Sequence, residues 1–168
     1  WYLDTNPDVR EAGIDPLMHY VTTGWDEGRD PHPLFDSAWY TRTYKDASGK
    51  VPLIHYVEVG AGQLRRPNAI FDAAWYAGEN PDAAEDPLTH YVTQGRARHL
   101  SPSPLFDVAY YLEQNQDIAA SNICPLVHYM QRGYAEMRNP HPLFDTEWYK
   151  SHNLELSATR ETPLAHYL

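Results

Sequence analysis

The sequence has very little cysteine, no long apolar run and no excess of basic residues, and each absence excludes a class of protein. A single cysteine, Cys124, excludes an internal disulfide and a multi-cysteine zinc site. No apolar run approaches the roughly 18 residues that a transmembrane helix needs, so no membrane span is predicted in this segment. The formal net charge of -10 argues against nucleic acids and anionic membranes as partners.

Catalytic signatures are also missing from the sequence. It contains no Gly-x-Ser-x-Gly, no His-Glu-x-x-His, no phosphate-binding loop and no glycine-rich dinucleotide motif. We therefore predict that this region is not an enzyme and uses no cofactor. The sequence leaves open whether a catalytic domain adjoins it. Cys124 is interpreted as a packing residue, because free cysteine behaves as a small buried hydrophobe.

Aromatic residues are abundant, and they recur in one pattern: Phe-Asp, two residues, Trp-Tyr, a variable stretch, Pro-Leu, one residue, His-Tyr. The histidines of the copies are His19, His55, His90, His128 and His166. This regular spacing predicts an all-α, solenoid-like repeat array of short helices. The expected repeats are residues 1–34, 35–70, 71–105, 106–143 and 144–168. Because the first and last are partial, we interpret the chain as an excerpt of a longer protein.

Residue types at both ends of the Pro-Leu-x-His-Tyr segment predict a short helix. In the first copy Asp15 can cap the helix, Pro16 suits its first position, and Gly24 fits a left-handed residue that ends it. Val51 and Cys124 stand at the cap position of two other copies and predict weaker starts there.

The same helix carries an apolar stripe that is predicted to face the core. In the first copy the stripe consists of Leu17, Tyr20 and Val21 and ends at Gly24. His19 lies about 150° around the helix from this stripe. The histidines are therefore predicted to lie away from the main core face.

The Phe-Asp-x-x-Trp-Tyr segment predicts a second short helix. Asp36 can cap it, Phe35 can pack on Tyr40 as a hydrophobic staple, and Trp39 is expected to add apolar area to the core. The paired prolines of residues 31–33 predict an extended connector on the outside of the array.

A third, one-turn helix is predicted between the other two. In the first copy Asn6 would cap it, and Gly13 would end it. The stretch from Tyr44 to Val51 departs from this pattern and predicts a loop.

The recurring histidines are the foremost candidates for binding a ligand or partner. A row of imidazoles suits a divalent metal or an anionic ligand. The structural alternative, which we prefer, is that each ring packs on a neighbouring repeat and donates to a connector carbonyl or to the Phe-Asp carboxylate. Equivalent atoms of stacked repeats lie about 8–10 Å apart, too far to share one zinc ion, so no metal site is predicted.

Arginines recur five residues after the helix-ending glycine. Arg29, Arg65 and Arg138 hold this position, whereas Leu100 breaks the series. We predict that each arginine pairs with an aspartate such as Asp36, and the break argues against an essential ligand site.

Two further features of the first repeat have competing interpretations. Asp4, Asn6 and Asp8 alternate as in a calcium-binding loop, but a helix cap explains Asn6 and Asp8 better. Trp25 is a candidate contact for a sugar or a protein, or a packing residue at the solvent edge.

The segments Phe-Asp-x-x-Trp-Tyr, Asn-Pro-Asp-Val, Asp-Pro-Leu-x-His-Tyr-Val and Glu-Gly-Arg-Asp-Pro-His-Pro-Leu-Phe-Asp resemble a known bacterial repeat. Such arrays accompany glycosyltransferases of surface-polysaccharide assembly, of the O-antigen or rhamnan type, and occur in some secreted calcium-binding repeat proteins. The resemblance covers the whole chain, with departures at Lys45 to Val51 and Arg96 to Leu100. It implies a bacterial, envelope-directed setting beside an enzyme, and it assigns no catalytic residue to the repeat.

Together these features predict a non-catalytic scaffold or interaction module linked to glycosyltransferase machinery. The alternative is a secreted or cell-surface protein that self-assembles by end-to-end stacking of repeats, and a metal-binding histidine array is the third hypothesis. The expected partners are a protein, a second copy bound through repeat ends, or a glycan. The bacterial envelope or secretion is favoured as the location, and the cytoplasmic face stays open.

Overall fold

The computed structural model describes residues 1–159 and 161–168, apart from the side chain of residue 157. It confirms an all-helical array of short repeated helices, without a strand in the described ranges. The chain forms two compact units, Trp1–Asn68 and Ala69–Leu168. None of the described helices has the length and apolar character needed to cross a membrane.

The first unit contains five short α-helices and four turns of other helical types. The α-helices are α1 (Tyr2–Thr5), α2 (Pro7–Glu11), α3 (Pro16–His19), α4 (Ser37–Thr43) and α5 (Pro52–His55). Helices α3 and α5 continue without a break into the π-helical turns Tyr20–Gly24 and Tyr56–Gly60. The 3₁₀ turns are Lys45–Ala47 and Ala61–Gln63. The prediction of a loop from Tyr44 to Val51 is therefore wrong, because a 3₁₀ turn that buries Ala47 occupies its first half.

The second unit repeats these elements. Its α-helices are α6 (Ala73–Glu79), α7 (Pro87–His90), α8 (Val108–Gln114), α9 (Gln116–Ala119), α10 (Pro125–His128), α11 (Thr146–His152) and α12 (Pro163–Tyr167). The π-helical turns are Tyr91–Gly95 and Tyr129–Gly133. The 3₁₀ turns are Pro81–Ala83 and Leu154–Ala158.

The predicted helix caps are confirmed where the sequence supplies an acceptor. The Asp15 carboxylate accepts from the Met18 N–H at 2.9 Å, and Val51 and Cys124 provide no side-chain cap. The aspartate of every Phe-Asp pair accepts from an N–H three residues on, as Asp36 does from Trp39 at 2.8 Å. Asn6 is an exception, since its side chain caps no helix and donates instead to the Tyr2 carbonyl.

The hydrophobic staple is confirmed in all four complete Phe-Asp segments. The ring centroids lie 5.3 Å apart for Phe35 and Tyr40 and 5.2 Å apart for Phe144 and Tyr149. Tyr40 and Tyr76 are fully buried and Tyr149 is half-buried, whereas Trp39 and Trp75 are only half-buried. Trp148 is 58% exposed, so the prediction that the tryptophans form core is wrong there.

The glycine that follows each His-Tyr segment is not the left-handed stop that the sequence predicts. Gly24 ends a π-helical turn with an ordinary negative φ, and so do its three equivalents. The left-handed residue lies four positions later, at Gly28, Leu64, His99 and Met137. Only one of these four positions is a glycine, so three repeats hold a side chain in a conformation that glycine adopts more easily.

Replacing His99 with glycine is expected to stabilise the fold by about 1 kcal/mol, because His99 is exposed and has a φ of 52°. The measurement is the free energy of unfolding in urea. Gly28→Ala is the matched variant, since it places a Cβ at the equivalent φ of 73° and should destabilise by a similar amount. A neutral or destabilising His99→Gly would contradict this explanation.

The four connectors are residues 30–36, 66–72, 101–107 and 139–145, and they are not outer extended segments. Leu34 and Ile70 are each 1% exposed, and the Phe35 N–H returns to the His32 carbonyl at 2.9 Å in a tight turn. Successive connectors also bind each other. The Asp36 N–H donates to the Pro67 carbonyl, and the Asp72 and Asp107 N–H groups make the same bond to Pro102 and Pro140.

Candidate functional site

The recurring histidine is held by the tyrosine of the Trp-Tyr pair in every repeat. The tyrosine hydroxyl lies within hydrogen-bond distance of the histidine Nδ1 atom in all five copies. The pairs are Tyr2–His19 at 2.9 Å, Tyr40–His55 at 3.1 Å, Tyr76–His90 at 2.8 Å, Tyr111–His128 at 2.8 Å and Tyr149–His166 at 2.9 Å. This bond links the helix that carries the tyrosine to the helix that carries the histidine in each repeat.

The opposite nitrogen of the ring faces a carboxylate in the three middle repeats. His55 Nε2 lies 3.4 Å from Asp46 Oδ2, and His90 Nε2 lies 3.3 Å from Asp82 Oδ2. In the fourth repeat the nearest carboxylate oxygen to His128 Nε2 is that of Glu136, at 3.8 Å. The predicted partners, a connector carbonyl or the Phe-Asp carboxylate, are therefore wrong.

An arginine completes the group, which we call the polar tetrad: one tyrosine, one histidine, one aspartate and one arginine in each of the first four repeats. Arg65 binds Asp46 through two parallel hydrogen bonds of 2.8 Å. Arg29 binds Asp8, and Arg138 binds Asp117, with the same two-bond geometry. The predicted structural pairing of each arginine with an aspartate is confirmed, although the partner of Arg29 is Asp8 and not Asp36.

The third repeat fills the tetrad from a different sequence position. Leu100 stands where the other repeats have arginine, but Arg98, two residues earlier, binds Asp82 at 2.7 Å. Its guanidinium also lies 3.2 Å from His90 Nε2. Arg98 thus supplies in three dimensions the arginine that the sequence series lacks at Leu100.

The histidines of the middle repeats belong to the core. His55, His90 and His128 are 3%, 8% and 6% exposed, whereas His19 and His166 are half-buried. The prediction that the histidines lie off the core face is wrong, because the tyrosine ring covers the side of the helix opposite the apolar stripe. The edge-to-face ring contact between Tyr40 and His55, with centroids 5.8 Å apart, shows this cover.

The protons of the second tetrad can be placed from its partners. Burial raises the pKa of Tyr40 to about 12, so its hydroxyl keeps its proton and can donate to Nδ1 of His55. Asp46 is an acceptor only, because a two-bond contact with Arg65 lowers its pKa to about 2. A proton on Nε2 of His55 points to the Asp46 carboxylate, and Nδ1 can accept from the Tyr40 hydroxyl.

Acidification is expected to destabilise the fold in two separate windows. Burial lowers the pKa of His128, and Arg138 adds to this effect although Glu136 opposes it. The stability from the neutral ring is complete above pH 6.5 and is lost as the pH falls through its lowered pKa. A hydrogen bond from Arg138 lowers the pKa of Asp117 to about 2, so its stability is complete above pH 3.8 and is lost towards pH 2.

Urea unfolding at successive pH values should therefore show two declines. The Arg138→Gln variant should flatten the lower one, because Asp117 then loses the guanidinium that lowers its pKa. A free energy of unfolding that rises on acidification from pH 7 to pH 5 would contradict the assignment of the neutral histidine.

The other sequence-predicted candidates have structural partners. Trp25 is half-buried against the core cluster of Tyr2, Val9 and Tyr20. In the proposed calcium pattern, Asp4 binds Arg10 at 2.7 Å and Asp8 binds Arg29 at 2.7 Å. Cys124 is half-buried, with its Sγ 3.8 Å from the Tyr91 hydroxyl.

Within the described residues, no group of three or more histidine, cysteine, aspartate or glutamate side chains has an arrangement that would hold a metal ion. The imidazole nitrogens of the middle repeats are turned towards a tyrosine on one side and a carboxylate on the other. These rings are therefore placed to form structural hydrogen bonds that hold together the helix of the tyrosine and the helix of the histidine.

The sequence contains a signal for the tetrad in the joint recurrence of its residues, which the analysis of single helices did not use. Tyrosine and histidine recur together in every copy, and aspartate follows Asn-Pro or its equivalent, as in Asp8 and Asp82. The pairing needs the chain to fold back over 14 to 17 residues between tyrosine and histidine, a step that helix-cap rules do not predict.

Comparison of the chain with models of protein families, with curated proteins and with solved structures finds no match.

Proposed function

We propose that this chain is a non-catalytic repeat scaffold, an interaction module that works beside a glycosyltransferase of bacterial surface-glycan assembly. The observation that carries the proposal is the internal use of the recurring polar side chains. Each tyrosine, aspartate and arginine of the tetrad is bound by another member of the same repeat. These hydrogen bonds and ion pairs serve the fold.

The surface of the helix that carries the histidine supports an interaction role. The residues next to the His-Tyr pair are exposed and apolar in several repeats: Met18 at 58%, Ile54 at 42%, Val57 at 66% and Val92 at 45%. Exposed apolar side chains at equivalent positions of a repeat array are typical of surfaces that bind other proteins. The glycosyltransferase setting comes from the resemblance of the repeat to arrays that accompany such enzymes.

The test is capture of a tagged chain, after crosslinking, in the bacterium that encodes it. We expect the eluate to transfer sugar from a nucleotide-sugar donor to a glycan acceptor, and the purified chain alone to show no transfer. The Ile54→Glu, Val57→Glu double variant should lose the captured activity, whereas Glu58→Gln, an exposed substitution on the same turn, should retain it. Sugar transfer by the purified chain, or capture that is unaffected by the double variant, would overturn the proposal.

A further inference from the structure

Two adjoining helices of the first unit carry exposed apolar side chains. Met18 on α3 is 58% exposed, and Ile54 on α5 and Val57 on its π-helical turn are 42% and 66% exposed. Val21 and Leu53 are half-buried and pack on the same core cluster of the first repeat, so the two helices meet there. We call these five residues the α3–α5 surface.

The exposure of this surface belongs to the repeat and does not depend on where the chain begins. Ile54 and Val57 lie in the second repeat, which has a repeat before it and a repeat after it in the sequence. Val92 holds the position of Val57 in the third repeat and is 45% exposed. Leu17 is left out of the surface, because its equivalent Leu53 packs on the preceding repeat.

Acidic side chains border the α3–α5 surface. The Asp15 carboxylate accepts from the Met18 N–H at the start of α3, and Glu58 lies one turn after Ile54 on the same helix. Both are exposed, and neither forms an ion pair within the described residues. Other carboxylates of this unit instead bind an arginine, as do Asp4, Asp8 and Asp46. Exposed Lys50 precedes α5, and the two carboxylates outnumber it.

The chemistry of the surface favours one kind of occupant. The described ranges contain no strand, so an extended peptide finds no sheet edge to pair with. A phosphorylated or acidic motif needs a cluster of arginines, and the carboxylates of Asp15 and Glu58 would repel it. Aliphatic and methionine side chains on two adjoining helices instead suit the apolar face of a third helix, which packs in the groove between them.

We propose that the α3–α5 surface binds an amphipathic α-helix of a partner protein, with basic residues on both sides of its apolar stripe. The stripe packs on Met18, Ile54 and Val57, and the basic residues lie against Asp15 and Glu58. The inference rests on the proposed function, because this helix is the part of the partner that meets the surface assigned to the interaction.

The experiment is fluorescence anisotropy of a labelled probe helix titrated with the full 168-residue chain. The probe has about 18 residues, with leucine repeating at i, i+3, i+4 and i+7 and lysine on both sides of this stripe. We expect a Kd of about 10–100 μM that rises with salt, since the contact includes exposed charges. The same helix with glutamate in place of lysine should bind about 10-fold more weakly or worse.

Variants of the chain separate the apolar contact from the charges. The Ile54→Ser, Val57→Ser double variant leaves the net charge unchanged and should raise the Kd of the lysine probe by about 10-fold or more. Glu58→Lys should weaken the lysine probe by about fivefold and strengthen the glutamate probe by a similar factor. Glu79→Lys makes the same charge change at an exposed position of α6 and should change either Kd by less than about twofold.

Three results would overturn the proposal: no binding of the lysine probe, equal affinity for the two probes, or wild-type affinity of the double serine variant. Circular dichroism of each variant confirms that it is folded. Probe binding without captured sugar transfer would keep the site for a basic helix and remove the glycosyltransferase as its partner. Captured sugar transfer without probe binding would keep the enzyme and reject the basic helix.

Discussion

Replacing Gly133 with alanine is expected to lower the free energy of unfolding by about 2–4 kcal/mol. A Cβ at Gly133 would overlap the hydroxyl oxygen of Tyr111, which is bonded to Nδ1 of His128. Tyr111 is 0% exposed and contacts the rings of Phe106 and Tyr129, so it cannot retreat without disturbing the core. The glycine is required by this close approach and not by its own φ.

Gly78 provides the matched control for this substitution. It lies near the end of α6, and a Cβ there would meet nothing within 4 Å. Gly78→Ala should therefore stabilise the fold by about 0.5–1 kcal/mol through helix propensity. Chemical denaturation of both variants checks the opposite signs, and two effects of the same sign would refute the close-approach explanation.

Replacing Leu126 with alanine is expected to cost about 2–5 kcal/mol, because the side chain is fully buried and its removal leaves a cavity. The cost of the same substitution at Leu17 should stay within about 0.5 kcal/mol, since that side chain is 59% exposed. The two leucines occupy one position of the repeat, so the comparison isolates burial from residue type.

Unfolding experiments on the two leucine variants should be done at low protein concentration, where association between chains does not contribute to stability. A loss for Leu17→Ala that equals the loss for Leu126→Ala would mean that the first repeat is covered even in a single chain. That result would contradict the contrast between inner and end repeats.

Local features of the repeat could be predicted from the sequence because their chemistry lies within four or five residues. The cap by Asp36 and the staple between Phe35 and Tyr40 are of this kind, and both are confirmed. The helical class followed from the same signals, since proline and a capping residue precede most of the short helices.

The roles that depend on distant residues could not be predicted from these local rules. Gly133 resembles a helix stop, but its small size serves Tyr111, which lies 22 positions earlier in the chain. Arg98 replaces the missing arginine at Leu100 only because both positions can reach the same carboxylate of Asp82.

The local rules also do not predict which residue of each Trp-Tyr pair enters the core. The pattern Trp-Tyr gives both side chains the apolar area to be core residues, and both are predicted to enter the core. Tyr149 binds His166 through its hydroxyl, whereas Trp148 is 58% exposed and stacks on His152. Tyrosine enters this position because its hydroxyl can hydrogen-bond to the imidazole of His166. The spacing of apolar residues does not reveal this requirement.

The central claim is that the histidine of each middle repeat is a structural link between tyrosine and carboxylate. The most direct measurement is the nitrogen-15 NMR spectrum of His55 near pH 7.5, recorded before and after addition of zinc. We predict an unprotonated Nδ1 that accepts from Tyr40, a protonated Nε2, and no change on addition of the metal. A protonated Nδ1, or nitrogen signals that move with zinc, would contradict the claim and favour a ligand-binding histidine.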